Sequence, residues 1–520
     1  MALNRFQQKL MDPSAFCITW EVVPGRGAKE KMQQAAIEDA RKAAAGDVVD
    51  AVTITDAPGG NPAMPADWLG AEILREGIEP LVHFTCKDKN RNQMESQLYA
   101  LDRQGVCNLL IMTGDYVSHG FGGCAKPVFD ADPIHVLQLI GEMNQGLTYP
   151  GLKGQPVTHT PSAFFAGAAI SPFKWTEAES MAQYNKMRKK AAAGAQFFVC
   201  QMGYDMRKNH ELLLFCKEAG ITAPIIANLF VPTLGAAKTI LRGALPGCSI
   251  TKNLVDRMAE ESKAEDKGVA ARLERAAKQY AIMKGMGFAG VHIGGFNLSY
   301  AQVEHIIARG EALLPNWQEY IQEVNDPVEG GYYRYEKDAA MGLNKESKTT
   351  IDARKLEDKA GGVYRLSRFV HKAIFEPNKA CYGAASAICR ASQGRRREKP
   401  LKGLEHLAKV MLYDCKDCGD CALTDTAYSC PMSRCPKNQR NGACGGSRNG
   451  WCEVFPEERK CIYVKAYNRL KKYGENLPEY LVAPCNWDLY QTSSWVNFYM
   501  GWDHSAKRLQ IPKQKPREKK

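Results

Sequence analysis

FCITWEVVP at 16–24, VVDAVTITD at 48–56, EPLVHFTCK at 79–87 and CNLLIMTGD at 107–115 share one pattern: an apolar run of strand length that ends on polar residues. Four more stretches repeat it: SAFFAGAAIS (162–171), AQFFVCQM (195–202), APIIANLF (223–230) and FAGVHIGGF (288–296). Helix-period segments lie between them, at 29–45, 92–104, 175–193 and 268–284. Near-continuous apolar strands alternating with helices imply a parallel sheet covered on both faces. Eight such units within about 310 residues imply a closed (β/α)8 TIM barrel rather than an open doubly wound sheet. The fold class expected is therefore α/β, with a smaller cysteine-rich, metal-binding α+β domain after it.

The whole chain has 520 residues, which leaves room for that second domain. The divisions expected are a barrel over 1–315, a linker or wrapping arm rich in Gly, Tyr, Lys and Asp over 316–362, a cysteine-rich domain over 363–507, and a basic tail over 508–520. Helices are expected at Val363–Phe375 and Lys460–Lys472, and the aromatic segment 486–504 is expected to pack.

The formal net charge is +12, with basic residues gathered in the run 395–399 and in the tail from Lys507. Such blocks read as solvated loop and tail, or as attraction for an acidic partner protein or a polyanionic substrate tail. No basic stripe interleaved with aromatics suggests nucleic acid. The first residues lack the basic end and apolar core of a signal peptide, and no run is long enough to span a bilayer. A cytoplasmic location is expected. There thiols stay reduced, so 18 cysteines argue for metal or redox cofactors rather than disulfides.

In a barrel of this kind, chemistry sits at the C-terminal strand ends. Polar residues gather there: Glu21, then Thr53, Thr55 and Asp56, then His83, Thr85 and Cys86, then Thr113 to Asp115, Gln201 and Asn228. Singly, each has a mundane explanation as a cap, a turn or a satisfied core group. Together they crowd one mouth, and Glu21 interrupts an apolar strand at the cost of burying a charge.

Eight cysteines fall between Cys415 and Cys461: Cys415, Cys418 and Cys421 at CxxCxxC spacing, then Cys430, Cys435, Cys444, Cys452 and Cys461. That spacing lets one short loop place several thiolates on an iron–sulfur cube, and a remote Cys-Pro commonly adds a ligand. Eight ligands suit two 4Fe–4S clusters, or one cluster and one tetrahedral zinc, or a structural zinc site alone.

The ordered segments WEVVP, VTITD, HFTC, Gly114-Asp115 and CQMGYD resemble the barrel of the methylenetetrahydrofolate reductase family over residues 10–315. CKDCGDC, CPMSRCPK and NGACGGSRNGWCEV are similar to the small subunit or fused domain that accompanies that barrel in many anaerobes. The resemblance implies flavin-dependent reduction of 5,10-methylenetetrahydrofolate to 5-methyltetrahydrofolate, possible in either direction, with electrons relayed through iron–sulfur clusters. The implied donor is ferredoxin or another electron-transfer protein.

By residue, the resemblance implies that Glu21 is the acid that protonates the folate as its ring opens, and that Asp115 lies between flavin and pterin. It makes Gln201 a folate ligand, and Thr53, His83, Ala168 and Lys190 flavin contacts. A glutamate acting as that acid is expected to have a raised pKa in a desolvated mouth. Thr113 and Ile170 depart from the family's arginine and tyrosine beside the flavin, which leaves FAD or FMN open. Two other readings stand beside this one: direct reduction by NAD(P)H with a zinc-stapled docking domain, and a non-redox folate barrel that transfers methyl groups. The oligomeric state is open, a homo-oligomer included.

Overall fold

The computed structural model of the protein describes residues 3–349, 361–394 and 398–514. The basic run at Arg395, Arg396 and Arg397, and the tail beyond Gln514, lie outside the described residues. Among the described residues no helix is long and apolar enough to cross a membrane.

Eight parallel strands close a barrel in chain order. They are β1 (Cys17–Val22), β2 (Ala51–Ile54), β3 (Glu79–Thr85) and β4 (Asn108–Met112), followed by β5 (Phe165–Ile170), β6 (Phe198–Cys200), β7 (Ile225–Phe230) and β8 (Gly290–Gly294). Each falls inside a run expected from sequence. Side chains alternate across the sheet. Ile18, Trp20, Val52, Ile54, Val82, Phe84, Ala166 and Ala168 pack outward into the main core beneath the helices. Inward, Cys17, Ala51, Leu81, Leu110, Phe165, Phe197 and Ile226 form an apolar floor. The helix Arg5–Met11 closes that floor from below with Phe6 and Leu10. Phe6 meets Phe165 and Phe197 edge-on, at 6.1 and 5.5 Å between centroids, the arrangement that ring quadrupoles favour. With the bottom plugged, polar side chains are left to the upper layers and the mouth.

After the helix Tyr300–Leu313, the chain wraps the barrel. Arg334 pairs with Glu218 at 2.6 Å, and Arg207 Nε donates to Asn344 Oδ1 at 2.6 Å. A hairpin of Tyr335–Lys337 and Asn344–Lys348 lies along the helix Met206–Ala219.

The second region consists of helices, chiefly Gly362–Ile374, Tyr382–Ser392, Glu398–Tyr413 and Ile462–Lys471, joined by cysteine-bearing loops. Between 361 and 514 the described residues carry only isolated β-bridges, Arg448 to Trp451 and Trp451 to Lys460. A mixed α+β fold was expected; side chains rather than strand ladders pin these loops. Buried Asp132, from the barrel, accepts the Asn441 backbone N–H at 3.0 Å and Nδ2 at 3.1 Å. Burial opposes its charge, but His135, Lys186 and Asn441 hold its carboxyl well below the usual range.

A second clamp ties the chain end to the CxxCxxC loop. His504 Nδ1 meets Asp420 at 2.6 Å and its Nε2 meets Asp425 at 2.8 Å, with all three buried. Burial alone would push the imidazolium down, but the two carboxylates hold its pKa up at about 9, against an ordinary 6.5. Its contribution is therefore complete below pH 6.5 and is lost as pH rises through about 9. The thermal midpoint of this region should fall across that window, and His504→Gln should flatten the slope. An unchanged slope in the variant would remove the clamp from the account.

Candidate active site

The barrel mouth holds a cavity of about 220 Å³ lined by Glu21, His83, Asp115, Lys190 and Gln201 from the barrel and by Lys437, Cys444 and Glu453 from the second region. Glu21 is the last inward residue of β1, and its register neighbour on β2 is Thr53. Glu21 Oε2 lies 3.4 Å from His292 Nε2, on β8. Thr19 and Thr53 hydroxyls stand 3.0 and 3.4 Å from His292 Nδ1. Hydroxyls donating to Nδ1 would assign the ring proton to Nε2, facing Glu21.

Burial pushes the Glu21 carboxyl up, but the hydrogen bond and charge of His292 outweigh it, and the net shift is downward. The raised pKa expected of Glu21 is thus corrected: an unforeseen histidine stabilises its charged form. The raised carboxyl in the mouth is Asp115, where burial dominates and Lys437 only partly offsets it. Asp115 accepts the Gly59 N–H at 2.7 Å.

Position 113, where the resemblance expects a cation, is Thr113, whose hydroxyl donates to Gln439 at 3.3 Å. The cation comes from the other region: Lys437 Nζ donates to the Gly114 carbonyl at 2.7 Å and is ion-paired with Glu453, both side chains being buried. A Cβ at Gly446 would run into the Glu453 carboxylate, so a larger residue there would displace it from Lys437.

Of the residues singled out in the barrel, Glu21, His83, Asp115, Lys190 and Gln201 meet at the cavity. Thr53 sits one layer lower, against His292. Ala168 faces the helical layer, because strand alternation turns it outward; Ala169 is on the cavity wall. Lys190 Nζ donates to the Ala169 carbonyl, and burial brings its pKa down to about 7. Burial lowers His83 to about 4, so the ring is neutral.

Among the buried polar atoms without a hydrogen-bond partner in the described residues are Thr55 Oγ1, His83 Nε2, Gln183 Nε2 and Asn228 Oδ1. All four residues line this one cavity. Buried polar atoms are normally satisfied, so orphaned donors and acceptors gathered on one cavity fit a ligand rich in nitrogen and oxygen. Sequence reading missed His292, Lys437, Glu453 and Gln183 as site residues. His292 carries the signal that revealed Glu21, a polar residue between Val291 and Ile293 in an apolar strand. Lys437 and Glu453 carry none.

The eight cysteines divide into two sets. Cys415, Cys418, Cys421 and Cys430 line one small cleft. Cys435, Cys444, Cys452 and Cys461 bear on one another electrostatically. Cys485, outside the expected eight, contacts Cys418. Burial pushes the thiols of Cys415, Cys421, Cys435 and Cys461 up, partly offset by backbone N–H groups that point at Cys415, Cys435 and Cys461 and by Lys409 Nζ, 3.7 Å from Cys421 Sγ. Among the described residues no three His, Cys, Asp or Glu groups are placed to hold a single metal ion as they lie.

The chain matches two family models: "Methylenetetrahydrofolate reductase" over residues 5–309, and "Methylene-tetrahydrofolate reductase C terminal" over residues 395–488. Solved structures that resemble it include an uncharacterised protein from Clostridium thermocellum that binds two copies of 5-methyl-5,6,7,8-tetrahydrofolic acid (12% identity, TM-score 0.41, 60% of this chain and 99% of that one). Others are a putative deoxyribose-phosphate aldolase from Toxoplasma gondii (9%, 0.29, 59% and 97%) and EDTA monooxygenase from a Chelativorans species (11%, 0.35, 59% and 95%). Likenesses this distant carry no functional weight. The family models do: with more than half of its length matched, the chain belongs to the methylenetetrahydrofolate reductase family.

Proposed function

We propose that the protein interconverts 5,10-methylenetetrahydrofolate and 5-methyltetrahydrofolate at the barrel mouth, with a flavin bound there and electrons delivered through clusters held by the two cysteine sets. One observation carries this reading: the cavity ringed by four unpartnered polar atoms is also lined by Cys444, a member of the second cysteine set. Thr55, His83, Gln183, Asn228 and Lys190 would hold the flavin. When bound, it supplies the hydride that reaches the methylene carbon. Cys415, Cys418, Cys421 and Cys430 would hold one cluster, and Cys435, Cys444, Cys452 and Cys461 the other, giving one-electron transfer from a protein donor of the ferredoxin type.

The chain's own residues handle binding and protons. Gln201 and Asp115 face the cavity where the pterin is to be oriented. Opening the folate's five-membered ring needs a proton at the departing nitrogen. Glu21 faces the cavity and shares a hydrogen bond with His292; to deliver that proton its carboxyl must first take one up, and it would then give it to the nitrogen as the ring opens. Gly445 and Gly446 of the second region form part of the cavity wall, where they would help keep water from the bound substrate.

Glu21→Gln should leave flavin reduction intact and slow folate turnover about a hundredfold or more, the scale of lost general acid catalysis. Normal turnover in that variant would remove Glu21 from the role. Anaerobically purified protein should contain flavin with about four to eight irons and matching sulfide per chain. Flavin with zinc and no iron would keep the barrel chemistry and replace the relay by a nicotinamide donor; absence of flavin would favour a non-redox folate barrel.

A further inference from the structure

A second cavity, of about 450 Å³, lies between the barrel loop 242–249 and the segment 446–457 of the second region. It adjoins the mouth: Pro246, Gly247, Gly446 and Glu453 line both spaces. Its walls carry two indoles, Trp175 and Trp451, and two guanidinium groups, Arg242 and Arg448.

Arg448 is prepositioned. Its guanidinium stands 4.8 Å from the Trp175 ring centroid, and Nη1 donates to the Leu241 carbonyl at 3.4 Å. A Cβ at Gly243 would come within 3.0 Å of that same nitrogen, so glycine clears its place. Among the described residues neither Arg242 nor Arg448 forms an ion pair with a carboxylate. Of the cavity's acidic groups, Glu453 pairs with Lys437, Glu179 accepts from Thr176 at its helix start, and Glu457 forms no ion pair among the described residues.

We infer that this cavity receives the aminobenzoyl-glutamate end of the folate, and that the second region is therefore part of the substrate site. The inference rests on the proposed placement of the pterin in the mouth. A folate is a pterin joined to an aromatic amide that ends in carboxylates. A pterin against Gln201 must send the rest of the molecule through an opening, and the space bounded by Gly247 and Gly446 leads into this cavity. There the indoles offer faces for the aromatic ring, and the unpaired guanidinium groups offer the planar fork that carboxylates accept. Additional γ-linked glutamates on the folate would extend past Arg448 and Arg242.

The test uses the full chain and two ligands, 5-methyltetrahydrofolate and p-aminobenzoylglutamate alone, with binding read by equilibrium dialysis and turnover read in parallel. In Arg448→Met, the Kd for 5-methyltetrahydrofolate and the KM should rise about tenfold, as expected for a lost charged hydrogen bond, with kcat within about twofold. Adding Arg242→Met should weaken binding further and abolish any advantage of a triglutamate over a monoglutamate. p-Aminobenzoylglutamate should compete with folate in the wild type and lose its grip in the double variant. Unchanged Kd, KM and fragment binding in folded variants would overturn the inference while leaving the mouth chemistry standing. A wild type that binds no folate at all would instead sink the parent reading. Displacement of the fragment by NADH with folate binding unaffected would assign the cavity to a nicotinamide donor and overturn the inference too.

Discussion

Three ammonium groups buried between the barrel and the cysteine-bearing loops hold the rest of the site in register. Lys174 donates to the Gly445 and Ser447 carbonyls, Lys186 to Gln439 Oε1 and the Gly442 carbonyl, and Lys437 to the Gly114 carbonyl. A buried ammonium without acceptors is costly, so the backbone of 439–447 must turn its carbonyls towards the barrel. That constraint places Cys444 and the two glycines after it at the mouth. A barrel separated from the second region would leave Lys174 and Lys186 without these partners and the mouth without Lys437.

The electrostatics of the mouth follow from the same closure. Of the carboxylates that line this space, Glu21 and Asp115 have environments that drive them apart. Glu21 is paired with His292 and keeps its charge; Asp115 is buried with only partial relief from Lys437, because Lys437 is also committed to Glu453. Neighbouring acids with opposed shifts are a pattern suited to dividing proton transfer from charge stabilisation. His83, neutral and with an unpartnered nitrogen, is left to accept or donate a hydrogen bond to whatever fills the space.

Most of the barrel was legible because its strands obey local rules. The alternation that sets Glu21 and His83 inward also sets Trp20 and Phe84 outward, and each apolar run ends where the mouth begins. Ala168 shows the limit of resemblance without alternation: one position along β5, Ala169 is the residue on the wall. His292 obeys the same rule and was passed over because its strand ends in glycines rather than in a recognisable motif. The pairing of Lys437 with Gly114 is of another kind. It joins positions more than three hundred residues apart, and no local pattern encodes it. The same holds for the partition of the cysteines: their spacing supplied the number of thiols, while the fold decided which four are neighbours and brought Cys485 against Cys418.

The central claim is that hydride chemistry on the folate takes place in this mouth. Anaerobic single-turnover mixing tests it most directly: the reduced protein is combined with 5,10-methylenetetrahydrofolate in a stopped-flow instrument, and the flavin absorbance is followed. The account predicts reoxidation at least as fast as steady-state turnover, with one 5-methyltetrahydrofolate formed per flavin. A flavin that stays reduced in the presence of saturating folate would contradict it.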